Sequence, residues 1–113
     1  MATPLPGKTR TRLNTGRPIM ALLDLLGRRW TLRVLWELRD GKPLNFRELQ
    51  ERCGGISPTV QNTRLAELRD ARVIKHSPER GYRLTPDGRE LVKQLSSLNG
   101  WAENWASRLE KKQ

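Results

Sequence analysis

A chain of 113 residues has room for one domain with a modest core. Small domains bury a smaller share of their surface, so added stability from dimerisation is expected. Lys and Arg total 22 against 12 Asp and Glu, and the resulting +10 calls for a polyanionic partner. The single cysteine, Cys53, excludes an intramolecular disulfide and a cysteine zinc cluster, and fits a reducing compartment. No apolar signal region opens the chain, and no stretch reaches the roughly 18 apolar residues of a membrane span. The expectation is therefore a cytoplasmic protein with no membrane partner. One His, one Cys, no glycine phosphate loop and no carboxylate pair free of basic neighbours predict no enzyme, no cofactor and no metal site.

The charge is unevenly spread. Residues 1–17 carry Lys8, Arg10, Arg12 and Arg17 and no acid. Residues 28–83 hold 13 basic against 7 acidic side chains, whereas residues 84–113 hold 5 against 4. The positive field thus belongs to the middle and the N-terminal tail. The nearly neutral C-terminal segment suits a protein surface better than a phosphate.

Residues 1–16, rich in Pro, Gly, Thr and basic side chains, are expected to form a disordered basic tail. Residues 17–110 are expected to form the single domain. Its first helix, 18–27, follows Pro18 with Ile19, Leu22, Leu23 and Leu26 as a stripe ending at Gly27. The second runs from Trp30 to Asp40 with Val34, Leu35 and Leu38 inward, and Gly41 stands where a C-terminal cap belongs. Leu44 is a candidate strand stub. A short helix over Phe46–Cys53 then sets Phe46, Leu49 and Cys53 on one stripe, which makes Cys53 a buried, inert thiol.

Gly54-Gly55-Ile56 turns the chain, and Ser57-Pro58 opens the next helix. Ser as N-cap accepts from orphan N–H groups, and Pro at N1 lacks the N–H it would waste. This helix, Pro58 to about Arg69, buries Leu65 and Leu68 and turns Thr59, Asn62, Thr63 and Arg64 outward. Hydroxyl, amide and guanidinium groups near the start of the second helix of a helix-turn-helix are suited to major-groove edges. Thr59 and Thr63 suit thymine methyls or phosphate, Asn62 adenine, and Arg64 guanine or phosphate. Gln61 shares the helical phase of Leu65 and Leu68, so its place in the reading face is open. The plainer account, in which these side chains only solvate an amphipathic helix, loses ground once the turn and the basic field are joined to them.

Val73-Ile74-Lys75-His76, the turn chemistry of Ser77-Pro78-Glu79-Arg80-Gly81 and Tyr82-Arg83-Leu84 predict a small β-hairpin, the wing. Thr85-Pro86-Asp87 repeats the N-cap and N1-proline signal. The last helix, 86–110, places Leu91, Leu95, Leu98, Ala102, Trp105 and Leu109 at spacings of 4, 3, 4, 3 and 4. Heptad spacing of that length predicts a seam, and with Leu22 and Leu23 of the first helix it forms the expected dimer interface. Asn99-Gly100 is a candidate kink. The fold class expected is mainly α with a small β-hairpin: a winged helix-turn-helix with a long C-terminal dimerisation helix.

The motifs match more closely than the order of elements alone. Leu23-Asp24-Leu25-Leu26-Gly27-Arg28-Arg29-Trp30-Thr31-Leu32, Phe46-Arg47-Glu48-Leu49, Gly55-Ile56-Ser57-Pro58 and Tyr82-Arg83-Leu84-Thr85 with Gly88 resemble the HxlR family of bacterial transcription factors, relatives of MarR. The resemblance covers roughly residues 17–106 and implies sequence-specific DNA binding. Many members have a cysteine before the proline that opens the first helix, some using it as a sensor. Here Arg17 stands there, so the resemblance implies no cysteine sensing, and the wing is several residues shorter than is usual.

The expected function is a homodimeric, DNA-binding transcriptional regulator on a palindromic operator in double-stranded DNA. The expected contacts are Ser57, Thr59, Gln61, Asn62, Thr63 and Arg64 on the recognition helix, with Arg28, Arg29, Arg47 and Arg80 toward phosphates or the minor groove. Trp30, Trp36, Trp101 and Trp105 are assigned to core and interface. A small-molecule effector pocket between the first, second and last helices is the alternative use of them. His76 has no second ligand at metal-binding spacing. The competing function is a winged-helix module for protein or RNA, which calls for an exposed apolar patch on the recognition helix or wing.

Overall fold

The computed structural model describes residues 17–111; the tail assigned to 1–16 lies outside them. In chain order the elements are α1 (Pro18–Leu26), α2 (Thr31–Glu37), α3 (Phe46–Cys53), α4 (Pro58–Asp70), β1 (Ile74–Ser77), β2 (Gly81–Leu84) and α5 (Pro86–Lys111). This is the expected mainly helical fold with one antiparallel hairpin, registered Ile74 to Leu84 and Ser77 to Gly81.

Local chemistry sets the helix starts. The Asn45 side chain accepts from the Glu48 N–H and Glu48 Oε1 accepts from the Asn45 N–H, both at 2.8 Å, closing a capping box on α3. Ser57 Oγ accepts from the Val60 N–H at 3.2 Å on α4. Thr85 Oγ1 accepts from the Gly88 N–H at 3.0 Å on α5 and donates to the Arg72 carbonyl at 2.7 Å. That hydroxyl ties the end of α4 to the start of α5.

The core gathers Val34, Leu35, Leu38, Leu49, Leu65 and Leu68, none more than 2% exposed, around the junction of α2, α3 and α4. Cys53 joins them, and burial pushes its thiol up, with Arg33 opposing the shift and Glu37 adding to it. It stays protonated, which fits an inert thiol. Leu44 pairs with Tyr82 through N–H···O bonds of 3.0 and 2.8 Å, a single antiparallel bridge on the free edge of β2.

Two expectations are corrected. The inward face of α1 is Ala21, Leu25 and Leu26, while Ile19 and Leu23 point to solvent. The small Ala21 side chain lets the helix lie close, and the stripe read from leucine spacing sits partly outside. The second helix is shorter than 30–40. It ends at Glu37 with Leu38 as cap, and Gly41, at φ +84°, lies three residues farther on. Helix α5 runs unbroken through Asn99-Gly100, the candidate kink.

Candidate nucleic-acid interface

Helix α4 follows Gly54 and Gly55, both at positive φ (+62° and +130°), so the turn from α3 needs residues without a Cβ. Along α4 beyond Pro58 the exposed positions are Thr59, Asn62, Thr63, Ala66 and Arg69, spaced 3, 1, 3 and 3 on one face. The Thr63 hydroxyl donates to the Thr59 carbonyl at 3.1 Å, which fixes its rotamer and leaves its methyl to face outward chemistry. Ala66 and Arg69 extend the face one turn beyond the positions read from sequence. A methyl at Ala66 is suited to a thymine methyl, and Arg69 adds a cation at the far end. The spacing rule that selected Asn62 and Thr63 would also have selected them.

Gln61 is removed from the expected contacts. It is 0% exposed, and its Nε2 donates to the Phe46 carbonyl at 2.9 Å, across from α4 to α3. Its Oε1 is buried without a partner. The helical phase shared with Leu65 wins over the polarity of the side chain. An apolar residue should fit better, since an unpaired buried oxygen costs more than the amide bond returns. Gln61→Leu is expected to raise stability by about 1 kcal/mol and leave DNA affinity within twofold. Chemical denaturation and a duplex titration check both, and a loss of affinity with stability kept would restore Gln61 to the reading face.

Arg28 and Arg64 are also placed differently from expectation. Arg28 Nη1 lies 3.0 Å from Glu67 Oε2 and Arg28 Nη2 3.0 Å from Asp24 Oδ2; Arg64 Nη1 lies 2.8 Å from Glu67 Oε1. Both guanidiniums are thus committed to carboxylates beside the reading face. Glu67 is a residue that sequence reasoning missed: Arg64 lies three positions before it on α4, but Arg28 reaches it from the α1–α2 turn only in the folded chain. Arg29 is exposed with its guanidinium 5.7 Å from the Trp30 ring. Arg47, in the first turn of α3, and Arg80, at the wing tip, are exposed and make no ion pair among the described residues. Ser57 is exposed as the α4 cap.

Among the described residues, the exposed large apolar side chains are Ile19, Met20, Leu23, Leu32, Trp36, Leu98, Trp101, Trp105 and Leu109. None lies on α4 or the wing, which removes the patch a protein-binding adaptor would use there. They lie instead on α1, α2 and α5. Trp101 and Trp105 stack with centroids 5.7 Å apart on the open side of α5. An open apolar cleft of about 530 Å³ separates α2 from α5, lined by Leu32, Leu35, Trp36, Leu95 and Leu98 among others. Of the four tryptophans only Trp36 lines it, and α1 takes no part. No described helix is long and apolar enough to cross a membrane, and no described cluster of His, Cys, Asp and Glu could hold a metal ion.

Comparison with known proteins agrees with this geometry. Residues 25–110 match the family model described as HxlR-like helix-turn-helix. The uncharacterized HTH-type transcriptional regulator YdeP of Bacillus subtilis is 29% identical over 102 residues, covering 85% of this chain and 79% of its own. The uncharacterized HTH-type transcriptional regulator BH0655 of Halalkalibacterium halodurans is 27% identical over 101 residues, with 84% and 88% covered. Among solved structures, quinone-bound YodB from B. subtilis superimposes with a TM-score of 0.73 at 28% identity, covering 78% of this chain and 97% of that one. A MarR-family regulator from Enterococcus faecalis V583 gives 0.72 at 26%, covering 92% and 94%. With its helix-turn-helix, two-stranded wing and basic middle segment, the chain belongs to the HxlR-like helix-turn-helix family of DNA-binding transcriptional regulators, which are not enzymes.

Proposed function

We propose that the protein acts in the cytoplasm as a homodimer that reads a palindromic operator, one α4 to each half-site. The observation that carries this reading is the division of surfaces. Among the described residues, α4 and the wing expose no large apolar side chain, while the large exposed apolar groups lie on α1, α2 and α5. A two-fold axis along α5 would bury the second set and present both copies of the first set to one side of a duplex, roughly 34 Å apart. The C-terminal charge balance favours the pairing, because residues 84–113 carry almost no net charge to repel a second copy. We assign the α2–α5 cleft to that second copy rather than to a small-molecule effector. The cleft is open, and Leu98 and Trp36 make it continuous with the exposed apolar residues of α5 and α2.

On this reading Asn62, Thr63 and Ala66 meet base edges, Thr59 and Ser57 serve the entry of α4, and Arg29, Arg47, Arg69 and Arg80 meet phosphates. Selection of bound duplexes from a random pool is the direct test, and a palindrome is the expected product. Against that operator, Asn62→Ala should cost about 1–3 kcal/mol of specific affinity with the fold kept. Arg80→Ala should weaken binding to all sequences alike and flatten the salt slope by about 0.9. Equal operator affinity for Asn62→Ala and wild type would remove α4 as the reader.

A further inference from the structure

Glu67 sits on α4 one turn past Thr63, and its carboxylate receives two guanidiniums at once. Arg64 reaches it from the same helix at 2.8 Å, and Arg28 reaches it from the α1–α2 turn at 3.0 Å. The site is well screened from solvent: the side chains of Glu67, Arg28 and Arg64 are 9%, 15% and 19% exposed. Asp24 Oδ2 receives the second amino group of Arg28 at 3.0 Å, so the two guanidiniums share two carboxylates. Arg64 Nε is buried without a partner, so the guanidinium stays turned toward Glu67 although part of its hydrogen bonding is unmet.

The arrangement matters because Arg64 stands between outward Thr63 and buried Leu65, at the flank of the reading face. A guanidinium there, set free, lies within reach of a sugar–phosphate strand beside α4. Phosphate contacts raise affinity for every sequence equally and so lower the ratio between operator and other DNA. We propose that Glu67 is a specificity-determining residue that acts by position: it holds Arg64 off the phosphate backbone, so that the protein binds arbitrary duplex weakly. The proposal rests on the operator-reading function above and adds the device that keeps non-operator affinity low.

The test uses the full chain and a random-sequence duplex as probe, titrated between roughly 50 and 200 mM salt. Glu67→Gln keeps the shape of the side chain and removes its charge. Arg64, released while Asp24 still holds Arg28, should steepen the salt slope by about 0.9, which makes affinity fall about 3.5-fold more across that range than in wild type. The operator-to-random ratio should fall as random binding rises. The variant R28Q/R64Q/E67Q should return the slope to the wild-type value, because the cation that gained a contact is gone. An unchanged slope in Glu67→Gln, with helix content and melting kept, would overturn the proposal. So would a triple variant with a slope below wild type, since its arginines would then have touched phosphate all along. Where Glu67→Gln fails to fold, the triple variant, which leaves no unpaired charge at the former Glu67 position, decides the matter through the same slope measurement. A wild type that binds operator no better than random duplex defeats the operator reading, while the slope comparison still judges Glu67.

Discussion

Gly88→Ala is expected to destabilise the protein by about 3 kcal/mol and to lower its melting temperature by about 15 °C. Gly88 is buried in the first turn of α5, where its backbone crosses the strand leading into the wing. A Cβ there would overlap the Val73 carbonyl oxygen, stand 2.9 Å from the Val73 carbonyl carbon and meet Leu84 Cδ2 at 3.3 Å. Two of these three neighbours are backbone and cannot rotate away. Moving α5 outward would stretch the 3.0 Å bond from the Thr85 N–H to the Val73 carbonyl and the 2.7 Å bond from the Thr85 hydroxyl to the Arg72 carbonyl. One methyl group thus sets the junction of α4, wing and α5 against itself. Gly100→Ala is the internal control: nothing lies within 4 Å of a Cβ there, and alanine in mid-helix should stabilise by about 1 kcal/mol. Thermal melts followed by circular dichroism read both variants. A Gly88→Ala melting temperature within a few degrees of wild type would mean that α5 and the wing root are not so closely packed.

The double substitution Leu98→Glu and Trp105→Glu should convert the protein to a monomer and lower operator affinity by about a hundredfold or more, since the two half-sites are then bound independently. Leu98 is 58% exposed and Trp105 46%, so neither contributes much to the core and the monomer fold should survive. The 26 residues of α5 span about 39 Å, and the last buried residue on the helix is Val92. Beyond it Leu95 and Ala102 are half-buried, and Leu98, Trp101, Trp105 and Leu109 stand in solvent. Glutamates at two of these positions would face their own copies across a two-fold axis and repel. Sedimentation at micromolar concentration and operator titration make the measurement. A wild type that sediments as a monomer and still binds one half-site at full strength would remove the dimer from the mechanism.

What could be read in advance was chemistry carried by neighbours in the chain. Ser57-Pro58 and Thr85-Pro86 mark the starts of α4 and α5 because capping involves residues three apart, and the structure closes both caps as expected. The wing register follows from a short turn between two alternating runs. Leu44 finds Tyr82 as a strand stub should. Less legible were features decided across the chain. One of the two partners of Arg28 lies 39 positions away, so a run of two arginines before Trp30 reads as a phosphate clamp until Glu67 is brought beside it. The inward face of α1 depends on how closely Ala21 can approach its neighbours, which leucine spacing does not encode. Trp30 adopts φ +78°, an uncommon backbone for a bulky side chain, and packs toward the turn at Gly55; no local signal announces it. Gln61 falls between the two cases: its phase was visible, and its amide bond to Phe46 was not.

The exposed run of α5 has a consequence for how such a chain can diverge. From Ser96 onward the helix contributes no fully buried side chain, so substitutions there leave the helix-turn-helix and its core untouched. Under the proposed pairing, reading head and pairing arm are then free to change at separate rates. A duplicated copy of the chain could acquire a new seam, and cease to mix with its parent, while still recognising the parent's DNA. Transferring the choice of partner between two such relatives would, under that pairing, take the exposed apolar residues of α1 and α2 together with those of α5, and would leave the choice of sequence behind.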